Sequence, residues 1–403
     1  MLDAYIYDGL RTPIGRHAGK LAALRPDDLA AEVIREVVAR NALEPREISD
    51  VVLGCVNQAG EDNRNVARFA ALLSGLPPTT PGVTVNRLCA SGLQAVIDSA
   101  RAITVGEGDV YIAGGVESMS RAPYVMSKSD SPYSRDVKLY DTTIGTRFPN
   151  PRFIKQFGDH SMPQTGDNVA RDFGIAREQA DEFALASQQK YARAEKEGFF
   201  QGEIHAITLP ARKKDAAGET ISLDEHPRRD ATLDQLAKLK PLFEGGVVTA
   251  GNASGINDGA AALVIGSSGW GNKRGKKPIA RILSAASAGV EPRIMGVGPA
   301  YAIPRALERA GLSLKDMDII EINEAFASQV LGCLKLMNVD LKDPRVNPNG
   351  GAIAIGHPLG ASGARLALTV ARELQQSGAR YAAVSLCIGV GQGLAIILER
   401  TVS

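Results

Sequence analysis

Two cysteines and one histidine in glycine-rich surroundings are the residues of this sequence best suited to covalent chemistry. Cys89 begins Cys-Ala-Ser-Gly, His357 lies in Gly-His-Pro-Leu-Gly, and Cys387 begins Cys-Ile-Gly-Val-Gly-Gln-Gly. A thiolate can attack a carbonyl carbon, a histidine can take the proton of the thiol, and a second thiol can move a proton at carbon. Together the three segments indicate thiol-based acyl chemistry.

The sequence around Cys89 favours a reactive thiol. Cys89 lies between a predicted strand and a predicted helix over 91–104, and the exposed amides and dipole of a helix start stabilise a thiolate. We therefore expect the pKa of Cys89 to lie below the ordinary value of ~8.5. The alternative is that a free cysteine is a small buried hydrophobe, which suits Cys55 and Cys333 because both lie in apolar patterns.

The glycines around His357 and after Cys387 also favour a site. They allow the backbone near His357 to approach a ligand closely, although a structural histidine is the alternative. The glycines after Cys387 lack the G-x-G-x-x-G spacing of a dinucleotide site and lead into a strand. We interpret their amides as donors to an oxyanion beside a reactive sulfur. The remaining histidines have no comparable surroundings: His17, His160, His205 and His226.

Alternating strands and helices position these residues. In the first half, strands are predicted near 4–8, 50–56, 81–86 and 109–115, with helices near 27–40, 63–74 and 91–104. In the second half, strands are predicted near 279–288, 317–322, 345–347, 380–387 and 393–399, with helices near 299–310, 324–337 and 361–376. This alternation predicts an α/β fold with parallel strands covered by helices. Cys89, Asn323, His357 and Cys387 fall at or beyond the carboxyl ends of strands, where such sheets bind ligands.

The two halves repeat each other around an insertion. Ala90-Ser91-Gly92 and Ala361-Ser362-Gly363 each open a helix, and a strand follows at nearly the same distance downstream. The last strand of the first half, 261–265, arrives only after residue 250, so the segment before it is interpreted as inserted. One amphipathic helix, 177–196, is predicted within it. The predicted domains are 1–120 with 250–275, an inserted domain 121–249, and 276–403.

Composition excludes several classes of protein. The 403 residues carry a formal net charge of +1, so nothing attracts nucleic acid or an anionic membrane across the whole surface. The apolar runs fall short of the ~20 residues that span a bilayer. Four cysteines without Cys-x-x-Cys argue against zinc or a disulfide framework, and no metal site is predicted. With no signal segment and no Ser-Lys-Leu ending, we expect a cytoplasmic protein.

Motifs along the whole chain resemble the thiolase family. The matching segments are Arg11-Thr12-Pro13-Ile14-Gly15, 86–92, 114–120, 249–255, Asn323-Glu324-Ala325-Phe326, and the segments of His357 and Cys387. The resemblance implies duplicated βαβαβαββ domains that form a layered αβαβα core, with an inserted loop domain that binds coenzyme A (CoA). It also implies a homo-oligomer, commonly a tetramer built as a dimer of dimers. CoA is implied as a co-substrate, without a prosthetic group.

The resemblance also implies roles for individual residues. Cys89 would be the nucleophile that is acylated, His357 would activate it, and Cys387 would exchange a proton with the α-carbon. One oxyanion site would involve His357 and a water held by Asn323, and the other would use the amides of Cys89 and Gly389. The residues that match CoA contacts in relatives are Met162, Arg228, Phe243, Ala250, Ser254, Ala325 and Phe326. Ser161 and Gln235 depart from residues common in relatives, which leaves the details of pantetheine contact open.

Four segments look closer to thiolases that act on 3-oxoadipyl-CoA, in aromatic-acid breakdown, than to general fatty-acid thiolases. They are 58–68, 117–123, 141–145 and 387–393. The six-carbon dicarboxylic tail of that substrate ends in a carboxylate, which is costly to desolvate unless a cation meets it. Arg64, Arg121 and Arg147 are candidates, and the alternative for each is a solvated surface arginine. We expect cleavage of 3-oxoadipyl-CoA to succinyl-CoA and acetyl-CoA through acylated Cys89.

Other functions fit the sequence less well. An acetoacetyl-CoA or broad-range 3-oxoacyl-CoA thiolase of fatty-acid degradation is the alternative within the family, and its tail pocket needs no charge. A decarboxylating ketosynthase that uses two histidines would need a second one in the C-terminal half, which has only His357, and it would not need Cys387. A degenerate acyl-CoA-binding protein would be expected to have lost Cys89, His357 or Cys387.

Overall fold

The computed structural model describes residues 2–211 and 218–401. Residues 1 and 402–403, which begin and end the predicted terminal domains, lie outside the described residues, as do 212–217 of the predicted inserted domain. The first part of the chain forms β1 (Ala4–Arg11), β2 (Gly15–Arg16), α1 (Pro26–Arg40), β3 (Ile48–Gly54), α2 (Val66–Leu73), β4 (Gly82–Val85), α3 (Ser91–Thr104) and β5 (Val110–Ser118).

The next part contains mostly short elements and long connections. It forms β6 (Tyr124–Met126), β7 (Leu139–Asp141), α4 (Pro151–Phe157), α5 (Met162–Asp172), α6 (Arg177–Lys196), β8 (Ile207–Thr208), β9 (Thr220–Ile221) and α7 (Leu233–Ala237). The chain then returns to the sheet with the long strand β10 (Asn257–Gly266), which is followed by the short helix α8 (Ser268–Arg274). Because β10 pairs antiparallel with β5 along its whole length, everything between these two strands is an excursion from the sheet.

The last part of the chain returns to regular alternation. It forms β11 (Ala280–Gly289), α9 (Gly298–Ala310), β12 (Ile319–Ile322), α10 (Ala327–Leu336), α11 (Ala352–Ile355), α12 (Leu359–Ser377), β13 (Tyr381–Ile388) and β14 (Gln392–Arg400). Local signals set several helix ends. Pro26 occupies the first position of α1, Gln179 caps the amide of Ala176 at the start of α6, and α9 and α12 end at Gly311 and Gly378 with positive φ.

The strand order repeats between the halves. Hydrogen bonds connect the main strands in the order β12-β13-β14-β11-β1-β10-β5-β3-β4. In the first half β4, β3 and β5 run parallel, and β10 and β1 follow antiparallel. In the second half Val346, β12 and β13 run parallel, and β14 and β11 follow antiparallel. The two sets join where Ala4 of β1 pairs with Ile282 of β11.

The core is layered. The largest cluster of buried apolar side chains joins α3 and α12 to strands of both halves, so these two helices form the central layer. A second cluster packs α1 and α2 on the outer face of the first set of strands. A third packs α9 and α10 on the outer face of the second set. This arrangement confirms the predicted α/β class and the αβαβα layering.

Glycines let the two central helices approach closely at their N-termini. A Cβ atom at Gly92 would overlap the backbone around Gly360 and Ala364, and one at Gly363 would overlap the backbone amide of Leu93. Any larger residue would push α3 and α12 apart. The two predicted Ala-Ser-Gly triplets therefore lie against each other, and the segments of Cys89 and His357 lie at this contact.

One predicted helix start is wrong. The helix predicted from residue 324 begins at Ala327, because the residues before it pair with another extended segment. Phe326 has extended backbone angles and forms an antiparallel bridge with Ala253, and the amide of Ser254 donates to the carbonyl of Ala325 at 2.9 Å. Tertiary pairing thus overrides the local helix preference. No helix in the described part of the chain is long and apolar enough to cross a membrane.

Candidate active site

Cys89 occupies a tight turn two residues before α3. The hydroxyl of Ser91 donates to the carbonyl of Leu88 at 2.6 Å and accepts from the amide of Arg87 at 2.9 Å, and Leu88 has a φ of +46°. The amides of Gly389 and of Cys89 itself donate toward the Cys89 sulfur. Two backbone donors therefore converge on the sulfur, from loops that are far apart in the sequence.

The expected low pKa of Cys89 is wrong for this structure. Burial raises the pKa of the thiol to about 11, and the two amides that donate to the sulfur only partly oppose this effect. The side chain keeps partial access to solvent, but most of its surroundings are protein. Desolvation thus outweighs the helix start, and the resting group is a neutral thiol.

His357 is buried and held by its neighbours in one orientation. Its backbone amide donates to Asn257 Oδ1 at 2.9 Å, and its Nδ1 lies 2.6 Å from the hydroxyl of Ser362. That hydroxyl donates to the carbonyl of Pro358 at 2.9 Å, so it can only accept from His357. His357 therefore carries its proton on Nδ1 and leaves Nε2 free. Burial, followed by the charge of Arg365, lowers the pKa of His357 to about 3, so the imidazole is neutral.

Asn323 faces the free nitrogen of His357. Its Nδ2 lies 3.4 Å from His357 Nε2, and its backbone amide donates to the carbonyl of Ser385 at 2.9 Å. Its Oδ1 is buried and has no hydrogen-bond partner within residues 2–211 and 218–401. A buried amide oxygen of this kind suits a water or a polar ligand atom.

Cys387 is the second-to-last residue of β13 and lies close to Cys89. Burial raises the pKa of the Cys387 thiol well above its ordinary value, and the neighbouring thiols of Cys89 and Cys333 add to the effect. Its environment is apolar, and it packs in one buried cluster with Val248, Ala253, Met295, Ala325 and Phe326, bordered by Met162. A thiol in such surroundings keeps its proton and can deliver it to carbon.

Gly389 connects Cys89 to this apolar cluster. A Cβ atom at position 389 would lie 3.3 Å from the Leu88 side chain and 3.9 Å from the Met162 sulfur. The structure thus brings Cys89, Gly389 and Met162 together.

The other predicted CoA-binding residues lie around the same region. The segment of Phe243 is tied to the cluster because the amide of Leu242 donates to the carbonyl of Val248 at 2.9 Å, and the Phe243 side chain is partly exposed. Phe243 lines a cavity of about 550 Å³ beside α5. Ala250 is exposed at the start of the segment that leads to Ser254.

Arg228 lies further out, on the segment 226–228, which contacts Gly255, the residue after Ser254. The ring of His226 lies where a side chain on Gly255 would be, so 226–228 borders 254–255. The amide of Arg228 donates to Gln188 Oε1 at 2.8 Å, and the arginine side chain is exposed. It is therefore available to a ligand that covers this surface.

Several residues that hold the site together were missed by sequence reasoning. Glu117 is buried and accepts from the amides of Val56 and Asn57 at 3.0 Å and of Gly360 at 2.9 Å, so it joins the loop after β3 to the turn of His357. Burial raises the pKa of Glu117 to about 7. Its motif was recognised, but nothing in the sequence shows that its carboxylate bridges two loops.

Ser362 and Glu324 were also missed as supporting residues. Glu324, next to Asn323, accepts from Ser187 at 2.6 Å, Asn347 at 2.8 Å and the amide of Ile353 at 3.1 Å. Ser362 could have been predicted, because it occupies the position in the second half that Ser91 occupies in the first half. Ser91 orders the turn of Cys89.

The two remaining cysteines contribute no side chain to the site. Cys55 donates to the carbonyl of Asn57 at 2.9 Å, and Cys333 donates to that of Gly296 at 3.3 Å. Both are buried, as their apolar patterns predicted. Within the described residues, no group of three or more histidine, cysteine or acidic side chains could hold a metal ion.

Comparison with known proteins identifies relatives along the whole chain. Residues 4–269 match the family model "Thiolase, N-terminal domain", and residues 276–400 match "Thiolase, C-terminal domain". The chain is 56% identical over 402 residues to the 3-oxoadipyl-CoA/3-oxo-5,6-dehydrosuberyl-CoA thiolase of Escherichia coli (strain K12), covering 99% of this chain and 100% of the relative. It is 55% identical over 400 residues to the beta-ketoadipyl-CoA thiolase of Pseudomonas aeruginosa, covering 99% of both.

A solved structure agrees with this relationship. The acetyl-CoA acetyltransferase of Bacillus anthracis superposes with a TM-score of 0.92 at 40% identity, covering 100% of this chain and 99% of that one. The similarity therefore extends over the whole fold.

Proposed function

Because this chain belongs to the thiolase family, we propose that it is an acyltransferase that cleaves 3-oxoadipyl-CoA with CoA to give succinyl-CoA and acetyl-CoA. The observation that carries this proposal is the placement of Cys387 near Cys89, with the turn of His357 against that of Cys89, in a chain whose full-length relatives are named for this substrate. The placement of these side chains supports acyl transfer through a thiol, and the names of the relatives support the identity of the acyl chain.

The first half-reaction breaks a carbon–carbon bond. The Cys89 sulfur attacks C3 of the substrate while its proton passes to Nε2 of His357. The C2–C3 bond then breaks, its electron pair remains on C2, and Cys387 donates its proton there to give acetyl-CoA. The succinyl group stays on Cys89 as a thioester.

The second half-reaction restores both cysteines. The thiol of a new CoA gives its proton to the Cys387 thiolate and attacks the carbonyl of succinyl-Cys89. The Cys89 sulfur leaves and recovers its proton from His357. Each proton moved in the first half-reaction is thus returned in the second.

Two sites would stabilise the negative oxygen atoms. The amides of Cys89 and Gly389 donate toward the Cys89 sulfur, so they suit the oxygen of an acyl group bound there. His357 and Asn323, with a water on its unpaired oxygen, suit the thioester oxygen of the acetyl-CoA enolate.

CoA would bind across the excursion between β5 and β10. Met162, Ala325 and Phe326 offer an apolar surface to pantetheine next to Cys387, and Arg228 offers a charge to a phosphate. We propose that 121–249 is the CoA-binding domain and that CoA is a co-substrate, without a prosthetic group.

Replacement of Arg228 by alanine should raise the KM for CoA, and an unchanged KM at several salt concentrations would contradict the assignment.

The experiment that tests the function is a thiolysis panel. We expect a higher kcat/KM for 3-oxoadipyl-CoA than for acetoacetyl-CoA or 3-oxohexanoyl-CoA at matched salt. Intact mass after incubation with 3-oxoadipyl-CoA alone should show a succinyl group in wild type and none in Cys89→Ala. Equal efficiency for the monocarboxylic substrates would show that this is a general 3-oxoacyl-CoA thiolase.

The exposed apolar surface supports a homo-oligomer. Phe69 (44% exposed), Leu72 and Leu73 on α2 and Val83 on the edge strand β4 form one apolar edge, and Tyr124, Met126 and Leu139 are exposed on the β6–β7 hairpin. Edge strands with apolar neighbours pair readily with another chain. We propose a tetramer built as a dimer of dimers, in the cytoplasm. Light scattering after size exclusion should give four times the chain mass, and a monomer would contradict it.

A further inference from the structure

A second cavity, of about 860 Å³, opens next to the nucleophile. Its lining comes from the loop after β3, the segment before Cys89 and one residue beyond β7: Val56, Gln58, Ala59, Gly60, Asn63, Arg64, Asn86, Leu88 and Arg147. Leu88 immediately precedes Cys89 and lies against Gly389, whose amide donates to the Cys89 sulfur. An acyl group on Cys89 therefore has this cavity beside it.

Of the four segments that resemble 3-oxoadipyl-CoA thiolases, 58–68 lines this cavity, and the other three contact that lining or a residue next to it. A Cβ atom at Gly60 would lie 3.1 Å from the Pro123 side chain of the segment 117–123. Asn57 donates to the Thr142 hydroxyl of 141–145 at 3.1 Å. Gly389 of 387–393 contacts Leu88. Three segments that are far from 58–68 in the sequence thus pack around the residues of the lining.

Arg64 and Arg147 are the charged residues of the lining, which contains no carboxylate. Neither guanidinium forms an ion pair within 4.0 Å in the described part of the chain. Arg64 has a φ of +66°, and its amide donates to the carbonyl of Gln58 at 3.2 Å. The charge of Arg147 acts on the buried carboxyl of Asp62, whose Oδ1 already accepts from the amide of Gly60 at 3.0 Å.

Arg121, the third candidate, is neutralised by a partner. Its Nη2 lies 2.6 Å from Glu61 Oε1, and its Nη1 donates to the carbonyl of Ala22 at 3.2 Å. It is also absent from the lining of the cavity. An arginine already paired with a carboxylate offers little attraction to a second one.

We propose that Arg64 and Arg147 bind the terminal carboxylate of the substrate in this cavity and so select a dicarboxylic acyl chain. The assignment rests on the proposed function. In 3-oxoadipyl-CoA the carboxylate carbon is three carbon atoms from the carbon that Cys89 attacks, so the chain is short and its charge stays near the cavity. Two guanidinium groups offer the paired donors that a carboxylate accepts, and they offset its desolvation.

The test compares 3-oxoadipyl-CoA with substrates that lack this charge. Wild type, Arg64→Gln, Arg147→Gln and the double variant are assayed with 3-oxoadipyl-CoA, its terminal methyl ester and acetoacetyl-CoA. Each single variant should lose about 10- to 100-fold in kcat/KM for 3-oxoadipyl-CoA, because a charged hydrogen bond is lost. The values for the ester and for acetoacetyl-CoA should change little. Arg64→Lys should recover part of the loss.

Arg121→Gln is the matched control, because it removes an arginine from the same neighbourhood but not from the cavity. Its effect should be equal on all three substrates. If wild type does not prefer the acid to the ester, the proposed substrate is wrong. If wild type prefers the acid but the Arg64 and Arg147 variants keep that preference, the substrate stands and this assignment is overturned. Thermal unfolding and acetylation of Cys89 by acetyl-CoA show which variants fold. If a glutamine variant does not fold, the substrate preference of Arg64→Lys decides the outcome.

Discussion

At the scale of single residues, the resting site holds a neutral thiol and a neutral imidazole. Burial raises the pKa of Cys89 to about 11 and lowers that of His357 to about 3, so a proton moves between them only when a bound acyl group makes the transfer favourable. The sequence identified both residues through their glycine-rich motifs. It could not give the sign of the pKa shift, because desolvation depends on residues brought together only by folding.

The raised pKa of Cys89 predicts how fast the free enzyme is alkylated. Because iodoacetamide reacts with the thiolate, the rate should rise about tenfold per pH unit from neutral pH to well above 9. The measurement uses Cys387→Ala, so that Cys89 is the reactive thiol of the site, with the double variant Cys89→Ala/Cys387→Ala as the background. A plateau that begins near pH 7 would instead indicate a thiolate–imidazolium ion pair.

Ser362 should act as a positioning residue for His357. In Ser362→Ala, Nδ1 loses its acceptor and the proton is no longer fixed there, so kcat should fall about 10- to 100-fold while KM changes little. Ser362→Thr, which keeps the hydroxyl, should recover activity. Ser99→Ala is the control, since Ser99 is a buried helical serine whose hydroxyl, among the residues that the structure describes, bonds only to the carbonyl of Ala95. Equal losses of kcat in both alanine variants would indicate that Ser362 contributes to the stability of the protein and not to the orientation of His357.

At the scale of elements, the contact between α3 and α12 sets the distance between the nucleophile and its base. The sequence showed that matching triplets open both helices, because local patterns mark helix starts. It did not show that the triplets touch, since that contact joins residues more than two hundred positions apart. For the same reason the helix start at Ala327 was misplaced, because the pairing of Phe326 with Ala253 is not local.

Gly363→Ala should separate these helices. The added methyl group would overlap the backbone of Leu93, so the free energy of unfolding should fall by about 1–3 kcal/mol or more. The kcat should also fall, because the turns of Cys89 and His357 would shift relative to each other. Urea denaturation and steady-state kinetics measure both effects. Gly269→Ala is the control in α8, because among the described residues the atom nearest to the new group, outside its chain neighbours and its own helix backbone, is Ser267 Oγ at 3.8 Å. A stable, fully active Gly363→Ala would show that the contact is adjustable.

At the scale of the whole molecule, a buried ionic network fastens the excursion between β5 and β10 to the sheet. Arg11 of β1 is fully buried, and it pairs with Glu203 at 2.6 Å and with Asp224 at 2.7 Å. Tyr191 donates to the same Asp224 at 3.0 Å. The alternation of elements predicted the layers, and the sequence motif included Arg11. The partners of Arg11 could not be predicted, because they lie about two hundred residues away.

Arg11→Met should therefore loosen the excursion. The buried carboxylates of Glu203 and Asp224 would lose their closest cationic partner, which should lower the free energy of unfolding by about 3–5 kcal/mol. Hydrogen exchange should speed up in 200–211 and 218–226, and the KM for CoA should rise. Arg16→Met is the control, since its pair with Glu225 is exposed and should contribute no more than about 1 kcal/mol. Similar stability of the two variants would contradict a structural role for the network.

The contact of the two triplets also bears on the ancestry of the molecule. Ser91 orders the turn of Cys89, and Ser362, its counterpart, orders His357. With the repeat offset of 271, Cys89 corresponds to Gly360 and His357 corresponds to Asn86. Two identical copies would carry the same residue at each of these positions, so the present arrangement, with the thiol in one half and the imidazole in the other, depends on halves whose sequences differ.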